Sequence, residues 1–463
     1  MSAELIGISS YILGMLILGH VVSKRIKTDT DYFLAGRSLG PVLATFSIFA
    51  TWFGAETCIG TAGKVYRQGL SGAHADPFTY ALCIFLMGFI FSRLLWRKKI
   101  TTIPDLFRSR FGPRAEILGA LIMIPSSLVW AGAQIRAFGE IIHVTTDYGV
   151  VLAVTVAALV VITYTISGGL LADAYTDLIQ GGALIVGLIV LVGVIFMDQG
   201  GVSAALTKVP ALRLDFFRSD PGVSPLAAWE MWLVPLLGSL MAQELVSRMS
   251  ASSSESVAFH SSWRAGLLYL VVGMMPVLIG LLGRLYYPDL EHSDSIMPLL
   301  AKRHLGLFLY VIFVGALVSA ILSTVDSTLL AISALVTHNL VFPRLPQLSD
   351  ERRVFCARLG VFVSGVIAYL IAFSSDSVTE LVETASSLGG PTILVIVSFA
   401  LFSKLGSQLA AVAAMVTSIL TWFLGHFVFS WEAPVLATVL VCLGTYVLVG
   451  VLEKTGRGVS SPQ

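Results

Sequence analysis

The sequence is poor in charge, since only 12% of its 463 residues are Asp, Glu, Lys or Arg, where a soluble chain carries about 25%. Its 29 Lys and Arg nearly balance its 28 Asp and Glu, which excludes the strongly basic surface of a nucleic-acid-binding protein. The four cysteines lie in apolar runs, at spacings that suit neither disulfides nor a metal site. Because no nucleophile motif or metal-spaced histidine occurs, we expect neither an enzyme nor an organic cofactor.

Apolar residues, by contrast, make up 56% of the chain. About thirteen apolar segments are long enough to cross a bilayer, because some 20 helical residues span its hydrocarbon core. They are 3–22, 41–68, 76–96, 115–142, 148–168, 172–197, 228–248, 263–287, 303–340, 354–374, 380–403, 407–429 and 432–453. The predicted fold is therefore an all-α, polytopic membrane protein, whose backbone polar groups are satisfied within helices.

The loops indicate how the chain is oriented in the membrane. Segment 3–22 contains the acidic Glu4 and has no small-residue cleavage site, so we interpret it as a spanning helix rather than a signal peptide. Basic residues follow the first, third, ninth and last segments, and basic loops are typically cytoplasmic. They are Lys24, Arg25, Lys27, Arg37, Arg97, Lys98, Lys99, Arg108, Arg110, Arg114, Arg344, Arg352, Arg353, Lys454 and Arg457. This predicts one domain over 1–463, with an outside N-terminus and a cytoplasmic C-terminus.

Two of the segments contain helix breakers. The second carries Gly54 at mid-depth among polar residues, and the seventh carries Pro235 and Gly238. Either interruption alone is typical of a packing glycine or a simple kink. Because they occupy corresponding places in two halves of the chain, together they indicate the solute site of a transporter built from inverted repeats.

Polar residues inside two further apolar segments indicate an ion site. The stretch Ala320-Ile-Leu-Ser-Thr-Val-Asp-Ser327 places three hydroxyls and a carboxylate in one helix, and Thr176-Asp-Leu-Ile-Gln180 places a carboxylate in another. A charge near the bilayer centre costs about 2.5–3.5 kcal/mol on insertion scales, so such residues are functional candidates. Hard oxygen ligands at this depth favour a small cation such as sodium.

These stretches also resemble a known family. Ser167-Gly-Gly-Leu-Leu-Ala-Asp-Ala-Tyr-Thr-Asp-Leu-Ile-Gln180 and Val318-Ser-Ala-Ile-Leu-Ser-Thr-Val-Asp-Ser-Thr-Leu-Leu330 are similar to motifs of the sodium/solute symporter family. The likeness runs over about residues 30–400, and Ala50-Thr-Trp-Phe-Gly54 is most similar to the choline-transporter branch. The resemblance implies a LeuT-type fold with two broken helices. Its parts are inverted repeats at 41–197 and 228–403, an extra helix at 3–22 and extra helices at 407–453.

The resemblance implies a main sodium site between the first broken helix and the ninth segment. Its ligands would be the carbonyls of Ala50, Phe53 and Ala320 and the hydroxyls of Ser323 and Thr324. A helix break frees carbonyls from their intrahelical partners, and residues at i, i+3 and i+4 share one helix face. The alternative is that both hydroxyls bond back to their own helix.

Some family members bind a second sodium ion, and the resemblance places that site at Asp177, Asp326 and Ser327. At Asp326 this chain departs from those members of the family that have serine at the corresponding position. The alternative is that the two acids organise helix packing through hydrogen bonds.

The family's solute lies beside the first break, where Trp52, Tyr80 and Trp130 match aromatic positions of the choline branch. Such rings hold a quaternary ammonium by cation–π attraction, worth about 2 kcal/mol when desolvated. Ala242 stands where a further aromatic is expected. The implied substrate-binding residues are Trp52, Glu56, Tyr80, Trp130, Gln134, Arg136 and Gln243.

Charged residues leave the solute's own charge open. Arg136 and Glu140 form either an i,i+4 ion pair or, through Arg136, a site for a solute carboxylate. Glu56, beside the break, is placed to meet a cationic group. We interpret His74 and Asp76, at the outer end of the third segment, as interfacial polar caps; the alternative is that they form part of the entrance to the site.

Together these features predict a sodium-coupled secondary active symporter in a bacterial inner (plasma) membrane. Its partners would be sodium ions, the lipid bilayer and a small polar organic solute, preferably an amine-bearing one such as a quaternary ammonium compound, betaine or amino acid. The alternatives are a membrane solute sensor with the same fold, or a symporter for a monocarboxylate or sugar.

Overall fold

The computed structural model describes residues 24–146, 148–218, 222–375 and 377–459, with residues 13, 14, 17, 21 and 22 before them. Nearly all described residues are helical, and among them no β-strand occurs beyond an isolated bridge between Leu39 and Ser252. The predicted all-α class is therefore confirmed. The predicted first span, 3–22, lies largely outside the described residues.

The helices are numbered here in chain order. They are α1 (Asp29–Leu34), α2 (Pro41–Trp52), α3 (Glu56–Gln68), α4 (Leu70–Lys98), α5 (Ile103–Phe111), α6 (Pro113–Thr145), α7 (Val150–Asp198), α8 (Val202–Thr207), α9 (Pro225–Ser239), α10 (Gln243–Ala251), α11 (Glu255–Gly283), α12 (Ile296–His304), α13 (Leu307–Val336), α14 (Asp350–Ile371), α15 (Val378–Ser387), α16 (Gly390–Phe402), α17 (Gln408–Phe423) and α18 (Pro434–Val459).

Length and composition allow many of these helices to cross a membrane. Within the described part of the chain, nine helical stretches are long and apolar enough, and the number reaches eleven if each bent helix pair forms one span. The predicted number of about thirteen is not confirmed, partly because segments 148–168 and 172–197 both lie in α7. The boundaries of the two repeats remain a prediction.

Helix α7 is too long for one crossing. Its 49 residues would extend roughly 73 Å at 1.5 Å per residue. The helix is broken at Gly169, where φ is +62° and an added Cβ would lie 2.9 Å from Ile26 and 3.1 Å from Tyr32. A left-handed backbone conformation favours glycine, so this residue divides the two predicted segments.

The two predicted helix breaks are present. Helices α2 and α3 meet at 56° across Phe53–Ala55, so Gly54 lies in the break. Helices α9 and α10 meet at 43°, and this break follows at Leu240–Ala242, after Pro235 and Gly238. The second break lies a few residues after the predicted breakers, because Pro235 and Gly238 are accommodated inside α9 and the helical hydrogen bonding ends only at Ser239.

Helix α13 lies at the centre of the bundle, packed against α2, α6, α7, α10 and α14. Of the most apolar stretch of α13, 78% is buried inside the protein, whereas only 28% of the corresponding stretch is buried in α14 and in α18. The outer helices expose large apolar side chains such as Phe355, Leu370 and Leu448, as lipid-facing surfaces do. The polar residues of α13 are therefore held inside protein, away from lipid.

The end of the bundle that carries Arg37, Arg97 and Lys99 is called here the basic end. It is closed by hydrogen bonds between segments that flank α2 and α10. Arg37 donates to the carbonyls of Ser250 (3.0 Å) and Lys99 (2.8 Å), and the Leu39 amide donates to Ala251 at 3.1 Å. The bonds to Ser250 and Ala251 join the start of the first broken helix to the end of the second, and the bond to Lys99 joins it to the end of α4.

Candidate functional site

The first helix break brings carbonyls of α2 next to hydroxyls of α13. The Thr324 hydroxyl donates to the Ala320 carbonyl at 3.1 Å and also lies 3.4 Å from the Ala50 carbonyl, across the helix interface. All three residues are almost completely buried. Three of the five predicted sodium ligands therefore converge, and they offer hard oxygen atoms of the kind that sodium prefers.

The other two predicted ligands flank this group. Phe53 ends α2 at the break, and its ring packs on Phe49 and Tyr269 at centroid distances of 4.8 and 5.5 Å. The Ser323 hydroxyl donates to Asp177 of α7. The alternative was that both hydroxyls only bond back to their own helix. Ser323 does not, because its hydroxyl bonds to another helix. Thr324 does so in part, because it donates to Ala320 of its own helix and also approaches Ala50. The assignment of Phe53 and Ser323 as ligands stays a prediction.

Asp177 is the carboxylate beside this oxygen group. It is fully buried and accepts hydrogen bonds from Ser323 and, at 2.7 Å, from Ser47 of α2. Asp177 therefore joins α2, α7 and α13 at the level of the break. A negative charge here would offset part of the cost of bringing a dehydrated cation to this depth.

The predicted second sodium site lies beside a buried ion pair. Ser327 donates to Asp173 at 3.0 Å and also contacts Arg248, a fully buried guanidinium that pairs with Asp173. Asp326 is fully buried on the same helix as Ser327. The Ser327 hydroxyl also lies 2.7 Å from the Ser323 carbonyl, and the Ser323 hydroxyl donates to Asp177, so Ser327 and Asp177 are linked through Ser323. Their joint role as a second sodium site stays a prediction.

A central cavity lies between the two breaks. It is lined by Trp52 of the first broken helix, Trp130 of α6, and residues of the second break. The other lining residues are Met123, Ser126, Ser127, Gly238, Ser239, Met241, Ala242, Gln243, Glu244, Ala385, Ser386, Gly390 and Ile393. The two tryptophans that the sequence singled out therefore face one cavity.

A second, outer cavity adjoins the central one at Ser386 and reaches the loops near Gly72, Val223 and Glu432, opposite to the basic end. Glu56 and Tyr80 line it, and the Tyr80 hydroxyl donates to the Glu56 carboxylate at 3.1 Å. The rings of Tyr80 and Trp52 meet edge to face, 5.6 Å apart at 73°. The structure thus brings Trp52, Tyr80 and Glu56 together at the junction of the two cavities.

Two of the remaining residues that were predicted to bind the solute form hydrogen bonds with the backbone of the protein itself. Gln134 accepts from the Ala55 amide at 3.1 Å, and so supports the first break from α6. Gln243 lines the central cavity, but its carboxamide accepts from the Ile103 amide at 2.9 Å and donates to Ser247 at 3.0 Å. Direct contact of either residue with a solute stays a prediction.

Arg136 lies apart from the aromatic residues. It pairs with Glu140 at 2.9 Å and lines a third cavity, together with Arg67 and Asp294. Of the two interpretations that the sequence left open, the ion pair is present. Contact with a solute carboxylate stays a prediction.

The interpretation of Asp76 as an interfacial cap is wrong. Its side chain is buried and accepts hydrogen bonds from Thr57 (2.5 Å) and Tyr269 (3.1 Å). These bonds tie α3, the outer half of the first broken helix, to α4 and α11. Sequence reasoning also missed Asp173 and Arg248, although each is an ionisable residue inside an apolar or broken segment, which is the signal that could have identified them.

Comparisons with known proteins agree with this architecture. The model of the sodium:solute symporter family (SSF) matches residues 32–421. The chain is 29% identical over 439 residues to the High affinity choline transporter 1 of Homo sapiens, covering 90% of this chain and 75% of that protein. It is 27% identical to the High-affinity proline transporter PutP of Bacillus subtilis (strain 168), covering 88% and 89%.

Solved structures share the fold at low sequence identity. A substrate-bound outward-open state of a Na⁺-coupled sialic acid symporter matches with a TM-score of 0.84 at 20% identity, over 98% of both chains. A nucleobase-cation-symport-1 family transporter in a closed conformation matches with a TM-score of 0.64 at 14% identity, over 93% of this chain and 95% of that one. The predicted LeuT-type transporter fold is confirmed by these neighbours.

Proposed function

The chain belongs to the sodium:solute symporter family, and we propose that the solute it carries with sodium is amine-bearing: a quaternary ammonium compound, a betaine or an amino acid. It is an integral multi-pass membrane protein that couples sodium to the transport of a small organic solute, as its family and relatives establish. The proposal concerns the solute class, the ion ligands and the membrane.

The junction of the central and outer cavities carries the proposal. Trp52 and Tyr80 form two walls at a steep angle, 5.6 Å apart, and Trp130 lines the same central cavity as Trp52. Aromatic faces attract a desolvated ammonium by about 2 kcal/mol, and the Glu56 carboxylate stands beside Tyr80. Relatives named for choline and for proline support an amine-bearing solute.

For sodium, we propose the carbonyls of Ala50, Phe53 and Ala320 and the hydroxyls of Ser323 and Thr324. The approach of Thr324 to Ala50 and Ala320 supports this set. The site would join the broken helix to α13, so an ion bound there would stabilise the closed basic end and the open outer cavity. A second ion at Asp177, Asp326 and Ser327 remains a proposal, supported by the link from Ser327 through Ser323 to Asp177.

Coupling requires only that sodium and solute favour the same state. One charge crossing 100 mV releases about 2.3 kcal/mol, which at 1.4 kcal/mol per tenfold supports roughly 50-fold accumulation of a neutral solute. We propose a bacterial plasma membrane with the basic end in the cytoplasm, since basic loops are typically retained there. The outer cavity then faces the outside, and transport proceeds by alternating access.

The test is uptake of labelled choline, betaine, proline and glucose into proteoliposomes, with an inward sodium or potassium gradient. We expect sodium-dependent uptake of at least one amine-bearing solute and none of glucose. Uptake of glucose with none of the amines would contradict the proposal. Sodium-dependent binding without uptake or counterflow would instead support the sensor alternative.

A further inference from the structure

A second group of oxygen atoms meets at the first helix break, among helices that do not include α13. Asp76 of α4 accepts hydrogen bonds from Thr57 of α3 at 2.5 Å and from Tyr269 of α11 at 3.1 Å. The two hydroxyls lie 2.7 Å from each other, and each also lies near the Trp52 carbonyl, at 3.3 and 3.4 Å. Trp52 ends α2, and the last carbonyls of a helix have no intrahelical partner. Oxygen atoms from four helices therefore surround one place.

The carboxylate in this group is a buried charge without a counter-charge. Asp76 is 3% exposed, and Thr57 and Tyr269 are completely buried. Among the described residues Asp76 takes part in no ion pair, because Lys64, the basic residue whose charge bears on it, pairs with Glu383 at 2.8 Å. A buried charge that lacks a partner of opposite sign is costly, above all within a membrane. A bound cation would supply the missing positive charge.

The atoms of this group suit a sodium ion. A carboxylate, hydroxyls and a carbonyl are the hard oxygen ligands that such cations prefer. A hydroxyl has two lone pairs besides its proton, so it can bind an ion and still donate a hydrogen bond. An ion can arrive from the outer cavity, because Glu56 and Ala75, the chain neighbours of Thr57 and Asp76, line that cavity.

Building on the proposed symport function, we propose that a further sodium ion binds at the Trp52 carbonyl, the Asp76 carboxylate and the hydroxyls of Thr57 and Tyr269. The ion proposed at Thr324 joins α2 to α13, whereas this one joins both halves of the first broken helix to α4 and α11. It would also fix the backbone at Trp52, whose side chain lines the central cavity. Sodium bound here would therefore raise the affinity for the solute.

Asp76→Asn tests the site, because the amide keeps the size of the side chain and removes its charge. The number of sodium ions bound per purified protein is measured with radioactive sodium in the absence of solute. We expect Asp76→Asn to bind about one ion fewer than wild type and to show a less steep sodium dependence of uptake. Ser323→Ala with Thr324→Ala should lose a different ion, so that combining all three substitutions removes both.

Tyr269→Phe is a milder variant that removes one ligand and keeps the ring, which packs on Phe49 and Phe53. We expect the affinity of this site for sodium to fall about tenfold or more, since even the outer partners of a bound metal are worth 10–100-fold. Tyr446→Phe is the matched control. Tyr446 is also completely buried, but its hydroxyl donates to the Leu405 carbonyl at 2.8 Å, in a different group of helices. This variant should bind sodium as wild type does.

Three results would overturn the proposal. Asp76→Asn might bind as many sodium ions as wild type with the same affinities, or it might lose solute binding alone, which would make Asp76 a solute residue. Equal weakening in Tyr269→Phe and Tyr446→Phe would show that the effect does not depend on this site. If Asp76→Asn does not fold, Tyr269→Phe decides. In each case sodium-dependent uptake of an amine by wild type would leave the proposed function standing, and its absence for every amine would contradict that function instead.

Discussion

Gly54 in the first helix break has almost no room for a side chain. A Cβ added there would lie 2.6 Å from the Thr324 hydroxyl oxygen and 2.9 Å from the carboxamide oxygen of Gln134. Both contacts are shorter than the roughly 3.5 Å separation of non-bonded heavy atoms. Gly54→Ala therefore forces the Thr324 and Gln134 side chains, or the helices that carry them, to shift at the place where the Thr324 hydroxyl approaches the Ala50 carbonyl.

The expected cost follows from this overlap. Inserting a methyl group into a well-packed interior costs about 1–3 kcal/mol. If the strain is relieved by separating the two sets of oxygen atoms, it appears as lost sodium affinity. At 1.4 kcal/mol per tenfold, we expect the apparent sodium affinity to fall roughly 5- to 140-fold.

The measurement is the rise in melting temperature of purified protein as sodium replaces potassium, since a ligand stabilises the state that binds it. Gly60→Ala is the control, because the nearest atoms to its added Cβ are 3.7 and 3.8 Å away and it lies in the same broken helix. Gly60→Ala should keep wild-type sodium affinity. Equal sodium affinity in Gly54→Ala and Gly60→Ala would refute the proposed place of the ion.

Three further substitutions test neighbouring assignments. Ser323→Ala with Thr324→Ala should abolish sodium-dependent uptake while the protein still inserts, and unchanged sodium affinity of the double variant would exclude both hydroxyls as ligands. Asp177→Asn should lower apparent sodium affinity more than folded yield, because a neutral amide inserts into the membrane more easily; normal transport with a lower melting temperature would indicate a packing role. Arg136→Ala should change betaine affinity about twofold at most, because its partner is Glu140; a tenfold loss in a competition assay would make Arg136 a solute residue.

Local pattern predicted the parts of this structure that depend on neighbours in sequence. Gly54 marked the first break, and the i, i+3, i+4 spacing of Ala320, Ser323 and Thr324 placed their oxygens on one face. Pro235 and Gly238 indicated the position of the second break only to within a few residues. Both residues lie inside α9, and its helical hydrogen bonding ends only after them, at Ser239.

Partner choice between distant helices was not predictable from spacing. The family resemblance groups Ser327 with Asp177; in the structure the Ser327 hydroxyl contacts Asp173 and Arg248 directly, and it reaches Asp177 only through Ser323. Asp76 was assigned to the interface because it lies near a segment end, yet helix packing buries it against Tyr269. Such pairings depend on how helices rotate against one another, which a single sequence does not contain.

The buried pair of Arg248 and Asp173 also bears on how the protein is made. Residues 225–251 must enter the membrane with a guanidinium that is fully buried in the folded protein, and α7, which carries its counter-charge, is synthesised earlier. Ser327 arrives with α13, nearly 80 residues later. An isolated α9–α10 segment would hold an uncompensated charge in lipid. The two halves of the chain are therefore expected to depend on each other during biosynthesis, and neither should assemble correctly as a separately expressed fragment.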